Sequence, residues 1–116
     1  MRRVLVVDDS NLMRHRIVQC LTSAGHQVVG KAKDGNEAVD LYVRVRPDVV
    51  TMDITMRGKD GITAAREILA MDPAACIVFY TLLDIPDLAA QVRRVPVRKV
   101  VRKGDEADLL KTLSEL

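Results

Sequence analysis

Aromatic residues are almost missing from this chain: no tryptophan, one phenylalanine and two tyrosines. That is too little ring surface for stacking on nucleic-acid bases. Cysteine is equally scarce. Cys20 and Cys76 sit in apolar stretches without metal-ligand spacing, so both are expected to be buried, reduced thiols. No apolar run approaches the length of a membrane span, and no secretory signal precedes the first strand-like segment. These absences point to a cytoplasmic protein. A strong excess of one charge is lacking too, and a net charge of +2 argues neither for nor against a nucleic-acid partner.

With 116 residues, 48% of them hydrophobic, the chain has material for one core and not for two. Short β-rich runs alternate with longer amphipathic stretches, the pattern of an α/β domain with a parallel sheet. Val4 to Val7 is continuously apolar, as a strand buried on both faces must be. Ser10 then caps a helix whose Met13, Ile17, Cys20, Leu21 and Ala24 recur at helical spacing, with Gly25 as its stop. Gln27 to Lys33 reads as a second strand, and Asp34-Gly35 turns into a helix with Ala38, Leu41, Tyr42 and Val45 inward. Pro47 ends that helix. Asp48 to Asp53 is strand three. After a loop from Gly58 to Gly61, the next helix buries Ile62, Ala65, Ile68 and Leu69. Cys76 to Thr81 is strand four, about Pro86 to Arg94 a short helix, and about Lys99 to Arg102 strand five. Leu109, Leu110, Leu113 and Leu116 stripe a closing helix. Five β–α units result, with no linker or repeat, and residues 1–116 are expected to form a single domain.

In open α/β sheets, ligands bind beyond the carboxyl ends of the strands. Strand one ends in Asp8-Asp9, strand three in Asp53, strand four in Thr81 and strand five in Arg102-Lys103. Three carboxylates at one rim repel each other, and a hard divalent cation such as Mg²⁺ relieves this. A carboxylate can also act as a nucleophile toward phosphorus. A cation and a hydroxyl can then neutralise and bind the transferring phosphoryl group. Each residue taken singly has a plainer reading. Asp9 and Ser10 are good helix caps, Asp53 is a common loop residue, and Thr81 and Lys103 are ordinary surface residues. Their convergence on four strand ends makes the plain readings weaker.

These residues bring a family into view. VLVVDDS at Val4 to Ser10, DVVTMDITM at Asp48 to Met56 and Asp60-Gly61 resemble the signature segments of the receiver domains of bacterial two-component response regulators. The likeness is strongest to the stand-alone CheY-like type. It covers essentially the whole chain and includes the spacings from Asp9 to Asp53 and from Thr81 to Lys103. It implies a doubly wound five-stranded parallel sheet flanked by five helices, with strand order 2-1-3-4-5, the flavodoxin/CheY-like arrangement. It further implies that Asp53 accepts a phosphoryl group and binds Mg²⁺ together with Asp9 and the backbone carbonyl of Thr55. Asp8 would act through metal-bound water, Thr81 would engage the phosphoryl group, and Lys103 would pair with it. The donor would be a phosphohistidine on a sensor histidine kinase or phosphotransfer protein, a role that neither His15 nor His26 fits. Arg102 and Lys103 are adjacent, so a strand's period of two lets only one face the site. The spacing from Thr81 favours Lys103, with Arg102 as the alternative.

Several positions depart from the family. Arg57 stands where proline is usual, which leaves that loop less restrained. Leu82 replaces a small residue and would narrow access to the site. Val100 occupies the place of an aromatic switch residue, and a valine cannot make a ring's swing between inward and outward positions. Val95-Pro96 replaces Gly-Ala, and Gly104 rather than proline follows Lys103. Thr55 and Leu83 lie where hydrolysis of the phosphate could be tuned. Arg93, Arg94, Arg98, Lys99, Arg102 and Lys103 make this second half basic. The cluster is either a solvated face or a docking surface for an acidic target on the helix 4–strand 5–helix 5 side.

A phosphorylation-dependent binding module without its own output domain is therefore expected, as a monomer or weak dimer, with a motility target suggested by analogy. A phosphate sink or relay is the alternative, favoured by Val100 and Leu82. An aspartyl-nucleophile hydrolase fits less well, because the acids are adjacent rather than spaced as DxD. Nucleic-acid binding fits least, since no module is left over to perform it.

Overall fold

The fold was analysed in a computed structural model that describes residues 1–82 and 86–116, without the side chains of 86–89. Its elements are β1 (Arg3–Val7), α1 (Asn11–Ser23), β2 (Gln27–Ala32), α2 (Gly35–Val45), β3 (Val49–Met52), α3 (Gly61–Met71), β4 (Ile77–Thr81), α4 (Pro86–Arg93), β5 (Lys99–Arg102) and α5 (Glu106–Ser114). All strand pairs are parallel, and the sheet runs β2-β1-β3-β4-β5, the order expected. Leu83 lies outside the described residues.

Alternate residues of the central strands feed two cores, which is why those strands are apolar throughout. Leu5, Val7, Val50, Met52, Ile77 and Phe79 pack against α2 and α3, with Val92 and Val95 at the margin. Val4, Val6, Val49, Val78, Tyr80 and Val101 pack against Ile17 and Leu21 of α1 and Leu109 and Leu113 of α5. The three-layer sandwich follows from this division.

Helix starts are set by side chains. Ser10, Asp34, Asp60 and Asp105 each accept a hydrogen bond from a backbone N–H in the first turn of α1, α2, α3 and α5. At α2 the cap is reciprocal, since Glu37 accepts the Lys33 N–H in return. Strands β2 and β3 stop one residue short of their expected ends. Lys33 and Asp53 leave the ladder to enter the turns that carry the next helices.

The cysteines need one correction. Both are free, as expected, but each is only partly buried: Cys76 packs at the margin of the core under α1 and α5, and Cys20 lies on α1 beside Glu106. Burial, then the hydrogen bond to Glu106 and that residue's charge, push the Cys20 thiol up to about 11. It is thus an inert thiol at neutral pH. No described helix is long and apolar enough to cross a membrane.

Candidate functional site

Strand order reverses between β1 and β3, which β1 separates from β2, and the acidic residues lie at that point. Asp8 N donates to Ala32 O and Asp53 N to Val7 O, both at 3.0 Å, so the backbone of each acid continues from a paired strand. One carboxylate oxygen from each of Asp8, Asp9 and Asp53 lies within 4.8 Å of the others. The three differ in access. Asp8 is fully buried, Asp53 nearly so, and the Asp9 side chain is 26% exposed.

Lys103 reaches into this cluster from beyond β5. Its ammonium lies 2.6 Å from Asp8 Oδ2 and 3.2 Å from Asp53 Oδ2. The choice between neighbouring cations is thereby decided geometrically: Lys103 turns inward and Arg102 is exposed. Thr81 ends β4 and is buried, and its carbonyl accepts the Lys103 N–H at 2.9 Å. Thr55 is exposed in the loop shortly past Asp53.

Charge in the site is unbalanced. Burial, opposed by Lys103 and reinforced by Asp8 and Asp9, raises the Asp53 pKa above the ordinary carboxylate value. Burial works against the Lys103 charge, but the contact with Asp8 and the negative charges of Asp53 and Asp8 outweigh it, so its pKa is raised. Lys103 therefore stays an ammonium. One cation against three carboxylates leaves two negative charges, and like charges about 4 Å apart repel by about 4 kcal/mol at an effective dielectric of about 20. Asp8 Oδ2, although in ion contact with Lys103, accepts no directed hydrogen bond among the described residues. An all-oxygen donor set with surplus negative charge fits a hard divalent cation of the Mg²⁺ kind.

Contacts that spacing alone did not reveal complete the site. Ser10 N donates to Asp8 Oδ1 at 2.9 Å, and an Arg14 guanidinium nitrogen donates to the Asp8 carbonyl at 2.7 Å. Arg57, expected only to loosen its loop, also approaches Asp9: its backbone N–H donates to Asp9 Oδ2 at 3.4 Å and its Nε lies 3.9 Å from the same oxygen. Gly61 packs against the backbone of Asp53, since a Cβ there would lie 2.1 Å from Asp53 O. The Asp60-Gly61 pair carried that signal in the sequence, but not its reason.

Val100 is exposed on the edge strand β5, and Leu82, expected to narrow access to the site, is 66% exposed. The basic cluster is smaller than its sequence suggests. Lys103 belongs to the acidic site and Lys99 pairs with Asp108 at 2.7 Å, while Arg93, Arg94, Arg98 and Arg102 are exposed.

Comparison with known proteins bears on the family and the fold. The family model of the response regulator receiver domain matches residues 4–114. Protein CcdB of Bacillus subtilis is 39% identical over 117 residues, covering 100% of this chain and 98% of that protein. The chemotaxis protein CheY of Thermotoga maritima is 48% identical over 77 residues, which span 66% of this chain and 64% of the relative. Among solved structures, the CheX-CheY-BeF3-Mg+2 complex from Borrelia burgdorferi superposes with a TM-score of 0.90 at 32% identity, over 97% of this chain and 87% of that one. The chain belongs to the response regulator receiver domain family.

Proposed function

We propose that this chain is a phosphorylation switch in which Asp53 accepts a phosphoryl group from a phosphohistidine of a sensor kinase or phosphotransfer protein. The observation that carries the proposal is the meeting of Asp8, Asp9 and Asp53 within 4.8 Å, with the Lys103 ammonium against two of them. A carboxylate oxygen of Asp53 attacks phosphorus, the phosphorus–nitrogen bond of the donor breaks, and the imidazole keeps the bonding pair and takes up a proton. Lys103 pairs with a phosphoryl oxygen, and the Thr81 hydroxyl donates to another. Asp9, Asp53 and the Thr55 carbonyl would hold Mg²⁺, with Asp8 acting through metal-bound water, and the ion would supply charge neutralisation at the phosphoryl oxygens. The chain acts as a switch, catalysing only its own phosphorylation and dephosphorylation.

Output goes to a partner protein in the cytoplasm, reached by residues 1–116 acting as one domain. The exposed Arg93, Arg94, Arg98 and Arg102 favour an acidic target on the side of α4, β5 and α5. The CheY relatives favour motility as the pathway. A second reading, a phosphate sink or relay, is favoured by Val100, because no ring stands there to report the phosphate.

Incubation with a small phosphodonor and Mg²⁺, followed by intact mass, tests the core of the proposal. One added phosphoryl group is expected, lost in Asp53→Asn and suppressed by EDTA. Addition at full rate to Asp53→Asn would refute the acceptor assignment, and indifference to EDTA the metal assignment. Target binding that ignores phosphorylation selects the sink.

A further inference from the structure

Beyond the last ladder pair, Thr81 with Arg102, the ends of β4 and β5 are joined by two more hydrogen bonds. One is the backbone bond from Lys103 N to Thr81 O. The other runs from Gly104 N to the phenolic oxygen of Tyr80, at 2.9 Å. Tyr80 immediately precedes Thr81, so a strand's alternation sends its ring to the opposite face. There it is 97% buried in the core that β1, β4 and β5 share with α1 and α5. A ring held in such packing has little rotational freedom, and its hydroxyl is a fixed acceptor beneath the turn.

The turn is closed by its own backbone bond from Asp105 N to Arg102 O at 3.0 Å, and the Tyr80 hydroxyl adds a tie from the turn to the core. Gly104 has φ +100°, a conformation that glycine adopts without strain. Glycine also has many other conformations open to it, so the residue does not by itself hold the turn in one shape. The Asp105–Arg102 bond and the bond to Tyr80 together hold one, and proline at this position could supply neither the N–H nor the dihedral angle. The residue just before Gly104 is Lys103, whose flexible side chain must hold its ammonium against carboxylates that follow two other strands. We infer that Tyr80 is a positioning residue: through Gly104 its hydroxyl fixes the turn from which Lys103 reaches Asp8 and Asp53. The inference rests on the proposed role of Lys103 as the cation that meets the phosphoryl group.

The test compares the full chain with Tyr80→Phe, Lys103→Met and the double variant. Three quantities are read: the rate of phosphorylation by acetyl phosphate, the Mg²⁺ dissociation constant by calorimetry, and the exchange rate of the Gly104 amide by NMR. Tyr80→Phe removes one oxygen and keeps the ring. It is expected to speed Gly104 exchange and slow phosphorylation, each about three- to tenfold, the scale of one ordinary hydrogen bond. Mg²⁺ should bind at least as tightly as before, because a loosened ammonium leaves more negative charge for the metal. In the Lys103→Met background, Tyr80→Phe should cost no further rate. Gly104→Ala keeps the N–H and meets no atom within 4 Å, but strains the backbone at φ +100°. It should give the same split, and it serves if the phenylalanine variant folds poorly.

An unchanged rate in Tyr80→Phe overturns the inference. So does an equal fold-loss in both backgrounds, or a loss of Mg²⁺ affinity in proportion to rate, which would mark Tyr80 as a core residue only. Lys103→Met phosphorylating at the wild-type rate would be a separate failure. It would remove the role of Lys103 and this inference with it.

Discussion

Gly61→Ala offers a test in which local propensity and tertiary packing predict opposite signs. Gly61 opens α3, where alanine is the better helix former, and such replacements ordinarily stabilise by about 0.4–1 kcal/mol through the unfolded chain. Here the added Cβ would sit 2.1 Å from Asp53 O, 2.8 Å from Ile54 Cα and 2.9 Å from Asp53 C. Real Cβ contacts essentially never fall below 3.0 Å, and all three atoms are backbone, so no side chain can swing away. Relief requires α3 to move off β3, breaking the 2.8 Å bond from Gly61 N to Ile54 O, or requires the Asp53 peptide to turn. Overpacking of this kind costs about 1–3 kcal/mol, occasionally more, and a clash with backbone belongs at the upper end. Net of the propensity gain, a loss of about 2–3 kcal/mol is expected. For a domain of this size that is a fall in Tm of roughly 10 °C. The displaced group is the peptide of Asp53, the proposed acceptor, so phosphorylation should slow as well. Gly25→Ala is the control: it strains a residue at φ +87° with nothing within 4 Å, far from the acids, and should cost stability without slowing phosphorylation. Thermal melts and phosphorylation time courses on the three proteins settle the matter. A Gly61→Ala variant melting at or above the wild-type temperature would refute the close-approach argument.

Three further outcomes are expected. The Thr51 hydroxyl is buried in β3 and finds no hydrogen-bond partner among the described residues, so Thr51→Val should stabilise by about 1 kcal/mol in urea melts; a lower urea midpoint would contradict this. Burial, the N-terminal charge and Arg2 lower the His26 pKa below the ordinary 6.5, and His26 Nδ1 accepts the Arg2 N–H at 3.0 Å. The unfolded chain then binds this proton first, so the contribution to stability is complete above 6.5 and is lost as pH falls toward the lowered folded value; melts between about pH 8 and pH 5 should show it, and His26→Gln should flatten that part of the profile. Finally, Mg²⁺ at ten times its dissociation constant should stabilise the protein by about 1.4 kcal/mol, reversibly with EDTA, and much less in Asp9→Asn; a Tm indifferent to the metal would count against the acidic cluster as its site.

The sheet was legible because burial on both faces leaves so little choice. Val4 to Val7 and Ile77 to Thr81 are buried almost without exception, and such runs can only be interior parallel strands. Helix boundaries were legible where a side chain makes them, as at Ser10 and Asp34, and so were the acids, because strand ends converge whatever the loops do. What stayed hidden depends on where side chains point after the chain has folded. The bond from Gly104 to Tyr80 spans β4, α4 and β5, and no local pattern records it. Nor does a run of cations say which members contact Asp8 or Asp108. The partial exposure of Cys20 and Cys76 reflects where each sits in the fold, which apolar neighbours in sequence do not encode.

The division of labour among the acids follows from what already touches them. Asp8 has no exposure, accepts the Ser10 N–H on one oxygen and holds the Lys103 ammonium against the other. A metal bound directly to Asp8 would have to displace or share with a cation 2.6 Å away, at a point that solvent does not reach. Asp9 is the opposite case. Its side chain is partly exposed, and Oδ2 holds only a 3.4 Å bond and a 3.9 Å ion contact from Arg57, whose side chain is 93% exposed. Exposed ion pairs of that length contribute little and are readily exchanged. Asp53 lies between them, nearly buried and sharing Lys103 with Asp8. The gradient therefore favours direct ligation by Asp9 and Asp53 and an outer role for Asp8. It also gives Lys103 a fixed resting place on Asp8, 3.2 Å from the carboxylate proposed to receive the phosphoryl group.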